Sequence, residues 1–251
     1  MKNLIIIGAS GFGREVLMMA IDNPSHQVDW VIKGFLDNRP GILDGFATHA
    51  QDVPDAMDYS AEKRLRYRRD YPILGDPLSY TPEPGDVFLC AMGNPADRRK
   101  YAEPLMAKGA EFIRLVHPMA AVSTFASIGR GSIIGPYAAL SPDSRIGQHV
   151  TVSSYTAIAH DVEIADWVEI GAHCLIAGNV HIGTSARVHP GSVITAKSRI
   201  GEHAVVAAGS VVFKSVSAHT TVIGNPARRF DWKPETPASH TDASPNESKP
   251  A

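Results

Sequence analysis

The sequence predicts a small α/β domain with an open parallel sheet, followed by a triangular β-solenoid. Three observations lead there. From Val122 to Val212 every sixth residue is Val, Ile or Leu, sixteen in succession. Ahead of that stretch, the apolar run Leu4-Ile5-Ile6-Ile7 ends in Gly8-Ala9-Ser10-Gly11-Phe12-Gly13, a strand running into a glycine turn. Between the two, short apolar runs alternate with helical segments, the pattern of strands joined by crossover helices.

The first domain is read over residues 1–115. The strand at Leu4–Ile7 passes through the glycine turn into a helix over Arg14–Ile21, and such a turn leaves backbone N–H groups free at a helix N-terminus, where a phosphate is favoured. Its spacing is G-x-x-G-x-G, not the dinucleotide G-x-G-x-x-G, which argues against a dehydrogenase. The next strand, Val28–Leu36, ends in Asp37-Asn38, at the carboxyl edge where an α/β sheet places ligand contacts. An Asp-Asn turn before Arg39-Pro40-Gly41 is the alternative reading.

Residues 45–71 lose the pattern and carry Lys63-Arg64, Arg66 and Arg68-Arg69, either a solvated helix face or a basic flap over substrate phosphates. Order resumes at Ile73-Leu74-Gly75. Val87–Ala91 reads as a buried strand, Gly93-Asn94-Pro95 opens a helix that runs to Lys108, and Gly109 closes it. Phe112–Val116 reads as one last strand, and His117-Pro118 leads into the solenoid.

The solenoid domain is read over 116–230. A random chain in which about a fifth of residues are Val, Ile or Leu would give sixteen such hits in one register with odds on the order of 10⁻¹¹, so the period is structural. A helical period of 3.6 cannot reproduce a strict six, whereas hexapeptides that each supply a short strand and a corner can. Three make one coil of eighteen residues. Stacked at about 4.8 Å, slightly over five coils reach on the order of 25 Å. Four residues after each aliphatic stands a small or β-branched residue, from Ala126 and Ser132 through to Val216, as a narrow interior requires. Residues 231–251, rich in Pro, Ser, Thr, Asn and Glu, read as a disordered tail.

The net charge of −2, with both signs interspersed, gives no electrostatic case for nucleic acid or an anionic membrane. No apolar run approaches the ~20 residues of a membrane span, and the chain opens into a strand behind a single Lys2, so a cytoplasmic location is expected. Cys90 and Cys174, 84 residues apart in apolar settings, read as reduced, buried thiols.

The eighteen-residue coil also aligns the corners. Pro142-Asp143, His160-Asp161, Gly178-Asn179 and Ala196-Lys197 fall in one column, so the His160 imidazole is expected to face a glycine one coil away. Acyl transfer needs a base for the nucleophile's proton and a donor for the oxyanion at one reacting centre. His160 and the Gly178 N–H can supply both, with Asp161 raising imidazole basicity or holding one tautomer.

On the motifs Ile7–Arg14, Phe35–Asn38, Ala91–Asn94, His117-Pro118, His160-Asp161, Ala177–Val180 and Gly224–Ala227, the chain resembles the bacterial nucleotide-sugar acetyltransferases of the left-handed parallel β-helix superfamily, related to sialic acid O-acetyltransferases. The resemblance runs from Met1 to Arg229. It implies a Rossmann-like first domain holding the nucleotide sugar, a left-handed β-helix, and a homotrimer with acetyl-CoA lying between neighbouring subunits. The family's catalytic histidine falls on His160 and its acidic neighbour on Asp161. Acetyl-CoA contacts fall on Glu169, Gly178, Pro190 and Ala208, and sugar-side contacts on Ser10, Gly11, Phe12, Asp37, Asn38 and Gly93. Arg98 is expected to reach phosphate.

That family transfers acetyl directly to a sugar amine, with no acyl-enzyme. The expected activity is therefore N-acetylation of a nucleotide-linked deoxyamino sugar. O-acetylation of a sugar hydroxyl and a non-enzymatic scaffold are the alternatives. Phe12 and Glu169 depart from the family, many of whose members have His at both. Some hexapeptide solenoids hold zinc with histidines five residues apart. No pair among the solenoid histidines has that spacing, and no metal is expected.

Overall fold

A computed structural model of the chain describes residues 1–45 and 70–231. The tail and most of the basic segment of residues 45–71 lie outside these. Sheet order in the first unit is β2-β1-β3-β4, all parallel. These strands are β1 (Lys2–Ile7), β2 (Trp30–Leu36), β3 (Asp86–Cys90) and β4 (Glu111–Phe112), with helices α1 (Gly11–Asp22) and α2 (Pro95–Ala107) as crossovers. The continuous apolar run in β1 has a simple cause. Leu4 and Ile6 pack under α1 with Val16, Leu17 and Ala20, while Ile5 and Ile7 pack on the opposite face with Ala102 and Leu105 of α2.

Helix α1 starts three residues earlier than the expected Arg14, directly at Gly11, with extended Ser10 as its N-cap residue. Gly13 allows this, because a Cβ there would collide with the carbonyl oxygen of Gly8. Glycine at that position lets the helix start pressed onto the preceding turn.

The expected single strand over 112–116 is two strands in different sheets. Glu111–Phe112 completes the α/β sheet, while Leu115–Val116 pairs with Ile133–Ile134 and is the first rung of the solenoid. Val116 stands six residues before Val122, so the repeat begins one hexad earlier than its unbroken aliphatic series suggested.

The solenoid is a prism of two-residue rungs in three parallel sheets. Partners are eighteen residues apart, as in Arg145 with Glu163, Thr151 with Glu169 and Ala157 with Leu175. The second residue of each rung points inward, and Ile134, Leu140, Ile146, Val152 and their successors form one continuous core. Ser and Thr at the companion positions are buried but satisfied: Ser132 Oγ donates to the Gly147 carbonyl and Thr156 Oγ1 to that of Gly171.

The outward residues give each face its own character. An aliphatic face presents Ala121, Ala139, Ala157, Leu175, Val193 and Val211. A charged face presents Arg145, Glu163, His181 and Arg199. The third face is covered along part of its length by the first unit, through Leu115, Ile133 and Thr151. The last coil is shorter: Val205 pairs with Thr221 and Ile200 bridges to Val216, sixteen residues on. An antiparallel strand, Arg228–Arg229, then pairs with Thr221–Ile223 at the end of one of the three sheets.

Candidate active site

The aliphatic and charged faces meet at the edge that carries His160. Asp161 N–H donates to the Pro142 carbonyl, Asn179 N–H to that of His160, and Lys197 N–H to that of Gly178, so the expected corner column exists as a ladder of backbone bonds. Asp143, Asp161, Asn179 and Lys197 all adopt left-handed φ, between 57° and 64°. That conformation turns the chain at each corner and lifts the side chains off the prism.

His160 lies over Gly178. A Cβ on Gly178 would sit 2.8 Å from both Nε2 and Cε1 of the imidazole, so only glycine leaves room for the ring. On its other side, His160 Nδ1 is 2.7 Å from Asp161 Oδ2. A carboxylate accepting there keeps the proton on Nδ1 and leaves the lone pair on Nε2, the atom against Gly178. The Gly178 N–H makes no hydrogen bond among the described residues, and in other coils this corner position holds Pro136, Pro142 or Pro190, which have no N–H to contribute. A proton acceptor and a backbone donor thus stand together on an exposed edge.

The sugar-side candidates gather at the carboxyl ends of β1, β2 and β3. Ser10, Gly11 and Phe12 form the turn into α1, and Phe12 packs partly against the core. Asp37 is buried and fully engaged: Oδ2 accepts from the Ala9 N–H at 2.9 Å and from Arg39 Nη2 at 2.7 Å, while Oδ1 accepts from Arg39 N–H and Nε. Burial alone would push its carboxyl up, but the Arg39 guanidinium and the two backbone N–H groups hold it below the usual carboxylate range. Asp37 ties the glycine turn to the end of β2, with Asn38 exposed beside it.

Gly93 follows β3 and meets the solenoid: a Cβ there would lie 3.4 Å from Glu169 Oε1. Glu169 is ion-paired at 2.9 Å with Arg187, one coil on. Pro190 and Ala208 stack along a third line, joined by the Gly209 N–H to the Pro190 carbonyl. One chain therefore brings His160, Asp161 and Gly178 together on one edge, and brings Gly93 to Glu169 on the covered face. It does not bring these two groups, or Pro190 and Ala208, to one point.

Arg98 corrects the expectation of a phosphate contact. It is 1% exposed and donates to four oxygens of the protein: Nη1 to the Met92 carbonyl and Thr151 Oγ1, Nη2 to the carbonyls of Trp167 and Val168. Nothing in its sequence surroundings announces this, because three of the acceptors are main-chain oxygens. Beside it, His149 is sandwiched between Phe112 and Trp167, with ring centroids 4.8 and 4.1 Å away. Burial, helped by the Arg98 charge, pushes its imidazole down to about 4. Burial likewise pushes the Cys90 thiol up to about 12 and raises that of Cys174, which leaves both protonated and unreactive. Among the described residues no group of three or more His, Cys, Asp or Glu is arranged to hold a metal ion.

The bacterial transferase hexapeptide (six repeats) family matches residues 143–178, the coils that carry His160 and Gly178. Among solved structures, the acetyltransferase domain of PglB from Neisseria gonorrhoeae in complex with acetyl coenzyme A is similar to this chain: it is 25% identical, the match covers 91% of this chain and 99% of that one, and the two superpose with a TM-score of 0.74. PerB from Caulobacter crescentus, solved with CoA and GDP-perosamine, shares the fold at 22% identity and a TM-score of 0.75, covering 92% of this chain and 98% of its own.

In sequence, the chain is 36% identical over 134 residues to the UDP-N-acetylbacillosamine N-acetyltransferase of Bacillus subtilis. That match spans 53% of this chain and 51% of the relative, about half the length of each. The prism is thus a left-handed parallel β-helix behind a small parallel-sheet domain, as the sequence predicts.

Proposed function

We propose that the chain is an acetyl-CoA-dependent N-acetyltransferase acting on the amino group of a nucleotide-linked deoxyamino sugar. The observation that carries this reading is the fit of His160 over Gly178, with Asp161 on the far side of the ring. Likeness to the Bacillus N-acetyltransferase and to the acetyl-CoA-bound Neisseria domain supports both the reaction and the co-substrate.

Acetyl-CoA supplies an activated carbonyl, and the chain's residues do the rest. Nε2 of His160 removes a proton from the acceptor amine as its nitrogen forms the new C–N bond, and Asp161 steadies the resulting imidazolium. The Gly178 N–H donates to the carbonyl oxygen as negative charge develops there. The C–S bond breaks, and the imidazolium returns its proton to the departing thiolate.

The working unit in this reading is a homotrimer in the cytoplasm. The first domain lies on the covered face, whereas His160 stands on the edge between the other two faces, so sugar loops and base converge only between copies. Gly178 on one edge and Pro190 and Ala208 on another likewise contact a single acetyl-CoA only if it lies between two prisms. The aliphatic face, with Leu175 46% exposed, offers the uncharged surface such a ring needs. Phe12 and Glu169 sit on the sugar side and near the acetyl group in this arrangement, and the Glu169–Arg187 pair makes the latter site ionic.

Incubation with acetyl-CoA and either UDP-N-acetylbacillosamine, GDP-perosamine or sialic acids, with products weighed by mass spectrometry, tests the reading. Acetylation of an amino sugar is expected, and acetylation of hydroxyls alone would overturn it. His160→Ala should lower kcat by about 10²–10⁴-fold, and a variant that keeps its full rate would remove His160 from the mechanism.

A further inference from the structure

Arg98 carries a positive charge that the proposed chemistry does not use, held where a charge is costly. Burial lowers its tendency to stay protonated, yet a guanidinium does not deprotonate in proteins. Its desolvation is offset by the four oxygens it meets, while Nε has no partner among the described residues. A nonpolar side chain would fill the same volume at less cost. What a nonpolar side chain cannot do is hold two pieces of backbone in register.

The two pieces matter for their sequence positions. Through Nη1, Arg98 holds the carbonyl of Met92, the residue before Gly93, and the hydroxyl of Thr151. Through Nη2, it holds the carbonyls of Trp167 and Val168, the latter being the residue before Glu169. One planar fork therefore fixes the loop that ends β3 against the rung that begins at Glu169, and it does so where Gly93 and Glu169 meet. Helix α2, which bears Arg98, is pinned again on the same coil by the Arg99 guanidinium, 5.6 Å from the Trp167 ring centroid.

We propose that Arg98 is a positioning residue: it sets the placement of the nucleotide-sugar domain on the β-helix, and through that the alignment of the acceptor amine with the thioester. This rests on the N-acetyltransferase reading. Each half of the site is built on a different sheet system, with the glycine turn on the α/β sheet and the base with its donor on a prism. Neither half contains Arg98, so each binds its ligand without it. Alignment between them is what the fork maintains, and a displacement of about 1 Å can cost about 10²-fold in rate.

The test is kcat measured per CoA-binding site for Arg98→Met and Arg98→Lys, with CoA titrated by calorimetry and UDP-N-acetylbacillosamine or GDP-perosamine as acceptor. The expected result is a fall in kcat of about 10–10²-fold, with CoA affinity and the number of CoA sites unchanged. Lysine should not rescue, because a single ammonium cannot span the two carbonyl groups. Equal loss of CoA sites and turnover would make Arg98 a fold-stabilising residue only and overturn the proposal, as would unchanged kcat. If both Arg98 variants are insoluble, Thr151→Val decides, with the same pattern expected at about 2- to 10-fold. Wild-type protein that acetylates no amino sugar removes the functional reading and this inference together. Active wild type with unaffected variants removes only this inference.

Discussion

The aliphatic and charged faces of the prism are built from the same repeat, share one interior and differ only in the first residue of each rung. On one, Ala139, Ala157, Leu175 and Val193 follow one another up the sheet; on the other, Arg145, Glu163, His181 and Arg199 do, with Arg145 and Glu163 2.7 Å apart and Glu163 and His181 3.2 Å apart. The inward residue specifies the fold, and the outward residue specifies what each face meets. The first is strictly periodic because every coil has the same interior. The second changes from face to face because the surroundings do.

The edge where the two faces meet is the place to break that division. Gly178→Ala adds one methyl, placed 2.8 Å from the imidazole, and should lower kcat by about 10²-fold with little loss of thermal stability. A rate near wild type would show that His160 has another seat. Interior substitutions should ignore the distinction between faces. Ile158→Ala behind the aliphatic face and Ile164→Ala behind the charged face are each expected to cost about 2–5 kcal/mol in urea unfolding, with similar values. A large difference would mean that the interior is not equivalent coil by coil.

His149 sharpens the contrast on the covered side. Its imidazole is held at about 4 in the folded protein by burial first and the Arg98 charge second, against a weaker opposing pull from Asp166. An unfolded histidine titrates near 6.5. The unfolded state therefore takes up the proton first, so this stability is fully present above about pH 6.5 and is lost as pH falls towards 4, by about 3 kcal/mol. His149→Phe should flatten urea midpoints over that window; an unchanged slope would assign it to other groups. The smallest effect belongs to the charged face itself. Glu163→Gln removes the exposed ion pair with Arg145 and should cost under about 1 kcal/mol, whereas Ala157→Glu on the aliphatic face should shift the mass in light scattering from that of the proposed trimer to that of a monomer.

Much of this is legible in the sequence, and the reason is geometric. A coil of eighteen residues sets His160 beside Gly178 as surely as it sets Ile158 beside Ile176, so a site built on a repeat inherits the repeat's predictability. The seam between the domains does not. Leu115 and Val116 have strand-forming side chains that suit either sheet, and only the partner rung at Ile133–Ile134 assigns them. Asp37 at a strand end suits a ligand contact, yet Arg39, two residues on, and the Ala9 N–H occupy it. Arg98 pairs with carbonyl oxygens, which every residue has and no sequence displays.

The final coil has a consequence of another kind. A stack of identical parallel rungs has no natural length, and each end offers unpaired backbone groups on which a further chain could grow. Here the first rung is packed into the core of the α/β domain, through Leu115 and Ile133. The last coil drops two residues and is followed by a strand running the opposite way with two arginines on it. An incoming rung would find the wrong direction and a positive charge. The repeat carries its own stop signal, written into the edge of the sheet that this strand joins.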